Sequence, residues 1–135
     1  MERMIWSDEL SVFDKKIDEQ HKKLIELVNA YADAVSARQE KAVLGKMLRH
    51  LMRYIEVHFQ EEENMMQLAR YPKQPEHSRE HEQFVFKVAE TVEAYQYGDF
   101  AVARDLRDFL ITWVREHIMQ IDREFGTYLR FRDTK

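Results

Sequence analysis

The sequence predicts an all-α protein, an antiparallel up-down-up-down four-helix bundle with a non-helical N-terminal arm. Three observations carry this expectation. Gly and Pro are scarce, at 3 and 2 in 135 residues, while 34% of residues are charged and 44% hydrophobic. That balance suits helices with solvated outer faces better than strands joined by tight turns. Apolar residues also recur at alternating steps of three and four through four separate stretches, as on a helix stripe facing a core. Short connections join the stretches, which makes consecutive helices antiparallel neighbours. A chain of this length supports one real core, so residues 1–135 are read as a single domain.

The elements follow in order. Residues 1–15 carry Trp6, Leu10, Val12 and Phe13 without a helical period, the pattern of an arm packing apolar side chains against the body. From Ile17 a seam begins: Ile17, His21, Leu24, Val28, Tyr31 and Val35. The polar run Ser36 to Glu40 then connects to a second seam of Leu44, Leu48, Leu51, Ile55, His58, Glu62 and Met65, in which His58 and Glu62 stand where leucines are expected. Pro72 and Pro75 end this helix near Leu68 to Tyr71. A third helix starting near Glu76 has His77, His81, Phe84, Val88, Thr91 and Tyr95 on its seam; Gly98 caps its end and Asp99 is placed to cap the next. The fourth seam reads Val102, Leu106, Leu110, Trp113 and His117, and the helix continues through Ile118, Ile121, Asp122, Phe125 and Leu129 to about Arg130.

Composition narrows the chemistry. With no cysteine, disulfides, thiolate metal sites, iron–sulfur clusters and a cysteine nucleophile are excluded, so any metal is held by nitrogen and oxygen. The net charge of −4 is mild and the two signs are interspersed, which argues against a nucleic-acid surface or a polybasic membrane anchor. No apolar run approaches a bilayer span, and the N-terminus lacks the apolar stretch of a secretory signal. The expectation is a cytoplasmic protein without membrane insertion. No continuous apolar outer stripe is evident, so a monomer is expected.

Of six histidines, five fall on seams: His21, His58, His77, His81 and His117. His50, off the seam, is a boundary residue. Any one buried imidazole can be satisfied by a carbonyl or hydroxyl, but five facing one core need a common explanation. Two acids join them, Glu62 four residues after His58 and Asp122 five after His117. Neutral imidazoles cannot neutralise buried carboxylates, whereas metal ions can. Glu61 and Glu63 leave the seam and read as solvated charges. Seven ligands exceed one tetrahedral zinc or one facial-triad iron and suit two octahedral ions sharing bridges. The nitrogen-rich set points to iron ahead of manganese, with zinc and copper as alternatives. Five residues of regular α-helix turn through about 500°, which would leave His117 and Asp122 about 140° apart. A π-bulge or similar distortion between Trp113 and Asp122 is therefore expected.

These residues resemble a known family, the hemerythrins, and more closely the single-domain bacterial hemerythrins. The resemblance runs from Trp6 and Asp18-Glu19-Gln20-His21, through His58-Phe59-Gln60-Glu61-Glu62 and His77-Ser78-Arg79-Glu80-His81, to the segment from His117 to Asp122. It implies two iron ions with an oxo or hydroxo bridge. His77, His81 and His117 would hold one iron, His21 and His58 the other, and Glu62 and Asp122 would bridge them. The second iron, one ligand short, would take dioxygen reversibly for storage, transport or delivery, with an oxygen-consuming enzyme as a conceivable recipient. Such chemistry needs a dry pocket, for which Leu24, Phe59, Trp113, Val114 and Ile118 are the candidate walls, with ordinary core packing as the plainer account.

The competing class is an enzyme, a di-iron oxidase or peroxidase. Oxygen-activating bundles use carboxylate-rich sites with Glu-x-x-His motifs. The residues three before the seam histidines are Asp18, Ile55, Gln74, Ser78 and Val114, so that motif is missing and a non-enzymatic carrier is favoured. An oxygen or iron sensor module is the third class, disfavoured because 135 residues leave no room for a signalling domain.

Overall fold

Asp14 sits in extended backbone and its carboxylate accepts the Ile17 N–H at 2.9 Å, the side-chain cap that starts α1, Lys15–Ser36. The computed structural model describes residues 4–12 and 14–132; Phe13, assigned above to the arm, lies outside them. α1 buries Ile17, His21, Leu24, Val28, Tyr31 and Val35, the expected seam. It reverses through Arg38, at φ 60°, into α2, Glu40–Tyr54. A π-helical segment, Ile55–Phe59, links α2 to α3, Gln60–Leu68, as one rod.

That first π segment was not expected, and it moves the seam. An added residue in a helical turn advances every later side chain, so the fully buried methionine of α3 is Met66 rather than Met65, which is only half-buried. The chain then turns at Arg70, at φ 54°, and enters α4, Gln74–Gln96. α4 starts two residues ahead of Glu76 because Pro75 falls in its first turn, where a missing N–H costs nothing. Gly98, at φ 79°, ends it, and Asp99 Oδ1 accepts from Ala101 N at 3.0 Å just before α5, Val102–Glu116. A second π segment, His117–Asp122, leads into α6, Arg123–Arg132. It stands where the five-residue spacing requires a distortion.

The described residues thus form four helical rods and no strand. The described residues of the arm are non-helical apart from a single 3-10 turn, Asp8–Leu10. It is fastened at both ends. Met4 exchanges two hydrogen bonds with Asn29, at 3.0 and 2.8 Å, and Asp18 accepts from Ser11 Oγ at 2.5 Å and Val12 N at 2.9 Å. Val12 crosses α6 at Gly126, where a Cβ would lie 2.6 Å from Val12 Cα; only glycine admits so close an approach.

Two apolar clusters fill the bundle. The larger includes Leu24, Val28, Leu44, Leu51, Phe59, Phe84, Leu106, Leu110, Trp113, Val114 and Ile118. The smaller is Met66, Ala69, Tyr71 and Phe125. No described helix is long and apolar enough to cross a membrane.

Candidate metal centre

The five seam histidines and two seam acids converge between those clusters. All seven are at most 2% exposed. His21 comes from α1, His58 from the first π segment, Glu62 from α3, His77 and His81 from α4, and His117 and Asp122 from the ends of the second π segment. The two π segments have different effects. The second brings residues five apart to one face, so that His117 Nε2 lies 3.0 Å from Asp122 Oδ1. The first delivers both His58 and Phe59 inward while leaving Glu62 one turn on.

The carboxylates divide their oxygens. Glu62 Oε1 faces His77 Nε2 at 2.5 Å, His81 Nε2 at 3.2 Å and His117 Nε2 at 3.8 Å. Its other oxygen, Oε2, faces His58 Nε2 at 3.1 Å and His21 Nε2 at 3.7 Å. Asp122 repeats the pattern, with Oδ1 2.8 Å from His77 Nε2 and Oδ2 3.0 Å from His21 Nε2. Two overlapping groups result, one of His77, His81 and His117 and one of His21 and His58, each completed by both carboxylates. Every imidazole presents Nε2 inward.

Electrostatics follow from this crowding. Burial opposes a charged His21, yet Asp122 and Glu62 outweigh it and raise the imidazole to about 9. His77 is carried against the same burial to about 10, and His117 is also pushed up. At His58 burial prevails over Glu62 and pushes the imidazole down. Burial would raise Glu62 and Asp122, but the surrounding imidazoles hold both well below the usual carboxylate range. Glu62 and Asp122 are therefore held as carboxylates, with the surrounding imidazoles as their partners of opposite charge.

The group fits a pair of metal ions. Imidazole nitrogens stand close to Glu62 Oε2 and to both Asp122 oxygens, yet none of these three buried oxygens accepts a hydrogen bond among the described residues, which leaves their lone pairs free for a metal ion. Five nitrogen donors, two carboxylates and no sulfur form a set suited to first-row divalent ions.

The surroundings differ from the sequence expectation in detail. Leu24, Phe59, Trp113, Val114 and Ile118 are all buried. Phe59 stacks flat on His81 at 3.9 Å and Trp113 on His117 at 4.2 Å, so both cover the three-histidine half. The aromatic cover of the other half is Tyr54, stacked on His58 at 4.5 Å, which sequence reasoning missed. Its position one helical turn before a seam histidine was the available signal. Burial, then Asp122 and Glu62, push its phenol well up, so it stays protonated. Tyr54, Leu24 and His58 line a surface groove of about 320 Å³ together with Gln20, Lys23 and Val57.

Glu61 and Glu63 are only about a third exposed, at 30% and 36%, and both are engaged. Glu61 accepts from Gln20, whose amide also meets His58 Nδ1, and Glu63 accepts from Ser78 Oγ at 2.6 Å. Helical phase placed these acids off the seam correctly but carried no signal of those partners. His50 is exposed and apart from the cluster, as its boundary position implied.

Residues 12–129 match the Hemerythrin HHE cation binding domain. Bacteriohemerythrin of Clostridium acetobutylicum is 31% identical over 125 residues, covering 90% of this chain and 97% of that protein. Bacteriohemerythrin of Stenotrophomonas maltophilia is 30% identical over 130 residues, covering 96% and 84%. Among solved structures, a crystal structure of a leucine-to-phenylalanine mutant is 28% identical with a TM-score of 0.77, covering 96% of this chain and 98% of its own.

Proposed function

The chain belongs to the hemerythrin HHE cation-binding family, and from that premise we propose that it binds dioxygen reversibly at a pair of iron ions, as a carrier rather than an enzyme. One observation carries the reading: both carboxylates direct one oxygen to each half of the histidine cluster. His77, His81 and His117 would hold one ion and His21 and His58 the other, with Glu62 and Asp122 shared between them and an oxo or hydroxo group completing the pair. The two-histidine half offers one protein ligand fewer and would be the side open to dioxygen. When bound, the iron pair supplies reversible one-electron changes at each ion, from Fe2+ to Fe3+ and back.

The protein's own part is to position and to keep dry. Full burial of the seven donors excludes the water and stray protons that would strand the pair in its oxidised state. Phe59 and Trp113 lock the His81 and His117 rings by stacking, which holds the three-histidine half rigid. Tyr54 stacks on His58 where both line the outer groove, so its ring covers the oxygen-accepting side. Storage, delivery to an oxygen-consuming enzyme and transport all use this same binding step.

The test is spectroscopic. Anaerobically reduced protein carrying two irons per chain should be nearly colourless, gain visible absorption in air and lose it again under inert gas. His58→Ala should abolish the cycle and leave about one firmly held iron, whereas His50→Ala should behave as the parent. Irreversible bleaching, or a site that retains only zinc, would overturn the proposal.

A further inference from the structure

Four of the five site imidazoles, His21, His77, His81 and His117, have no hydrogen-bond partner on Nδ1 among the described residues. His58 is the exception. Its Nδ1 lies 2.5 Å from Gln20 Oε1, Gln20 Nε2 donates to Glu61 Oε2 at 2.8 Å, and Lys16 Nζ pairs with Glu61 Oε1 at 2.8 Å. Resting on the di-iron reading above, we infer that Gln20, oriented by the Glu61–Lys16 ion pair, is the positioning residue that fixes the tautomer and ring orientation of His58.

The orientation follows from which atoms can donate. A carboxylate only accepts, so Glu61 requires the NH2 end of the Gln20 amide, and the carbonyl end must then face His58. A carbonyl also only accepts, so the facing His58 Nδ1 carries the proton. In a neutral imidazole this leaves the lone pair on Nε2, the ring atom that faces inward 3.1 Å from Glu62 Oε2. A surface ion pair thereby sets the protonation pattern of a buried ligand through one amide. On the opposite half the arrangement is different. Glu63 Oε2 stands 3.6 Å from His81 Nδ1, beyond hydrogen-bond reach, and stacking on Phe59 holds that ring instead.

The consequence is a difference between the two ions. The oxygen-accepting ion has one ligand held from outside by hydrogen bonding, and loss of that hold should loosen this ion alone. Outer hydrogen bonds to a ligating histidine change metal affinity about 10–100-fold.

Protein loaded anaerobically with two ferrous ions, then mixed with excess ferrous chelator, provides the test. In Gln20→Met, which keeps the side-chain length and removes the acceptor, release should become biphasic: one iron leaves about 10–100-fold faster than in the parent and the other at the parental rate. Glu61→Ala, at a partly exposed position outside both apolar clusters, should give the same single fast phase with a smaller acceleration. Parental release from both variants overturns the inference, and so does equal acceleration of both irons, the mark of general loosening. Should Gln20→Met fail to fold, Glu61→Ala decides by the same criteria. A parent chain that takes up no iron pair overturns the di-iron reading itself, and this role with it.

Discussion

At the scale of single residues, the site's stability depends on rings as much as on donors. Three of the five imidazoles lie flat against an aromatic neighbour: His81 on Phe59, His117 on Trp113 and His58 on Tyr54. Phe59 and Trp113 are buried inside the larger apolar cluster, but Tyr54 lines the groove at the surface. Tyr54→Ala should therefore admit water beside His58 and speed conversion of the oxygenated protein to its oxidised, inactive form severalfold, followed as loss of reversible absorption. Tyr54→Phe keeps the ring and should match the parent; a faster loss in that variant too would assign the effect to the hydroxyl rather than to the cover. That these seven side chains gather in one buried cluster was legible in the sequence, because a histidine or acid on an apolar seam is conspicuous. Tyr54 and Gln20 were not, since an aromatic near a seam and a polar residue beside one are common on any bundle helix.

At the scale of elements, the two π segments show what periodicity can and cannot reveal. The second was legible because both of its functional residues are polar and stand five apart, a spacing that a regular helix cannot bring to one face. The first left no such trace, since His58, inside it, and Glu62, beyond it, keep the ordinary four-residue step. It emerges only in the replacement of Met65 by Met66 in the core. Each widened turn absorbs one residue and so keeps the helix beyond it in phase. Deleting the exposed Gln120 should contract the second segment to a regular turn, leaving His117 and Asp122 four apart and still on one face. Because α6 follows directly from Asp122, Phe125 should keep its place in the cluster with Tyr71 and Met66, and stability measured by denaturant unfolding should change little. A loss of roughly 3–5 kcal/mol, as for loss of a buried Phe, would show that the added residue sets the register of α6.

For the whole molecule, the polar layer divides the hydrophobic interior in two. The fold class was legible from patterning, because the seams of all four rods run the length of the bundle. The division was not, since it arises only when four helices bring their exceptions to one level. Without metal, the layer is held by imidazolium–carboxylate attraction, and this makes stability depend on pH. His21 and His77 rise from an ordinary 6.5 to about 9 and about 10, so their contribution is complete below about 6.5 and is lost as pH climbs through 9 and 10. Glu62 and Asp122 are held low, so theirs is present above about 4 and is lost on acidification. His58, pushed down, offsets part of the histidine contribution. Metal binding reverses the trend, since it requires deprotonated imidazoles. The gap in melting temperature between iron-loaded and chelator-treated protein should therefore widen from pH 6 to pH 9, by calorimetry. A constant gap would show that protons and metal do not compete for these nitrogens.

The second π segment also bears on when the site can come into being. Glu62 stands in the first half of the chain and Asp122 near the start of its last helix, so a chain still being synthesised exposes four histidines and one carboxylate well before the second carboxylate emerges. Until then the nascent bundle has nothing to join the two halves of the cluster on that side. Closure of the paired centre thus waits for Asp122 to be made and for its rod to dock, because a chain that stops short of it lacks the second carboxylate shared by both halves.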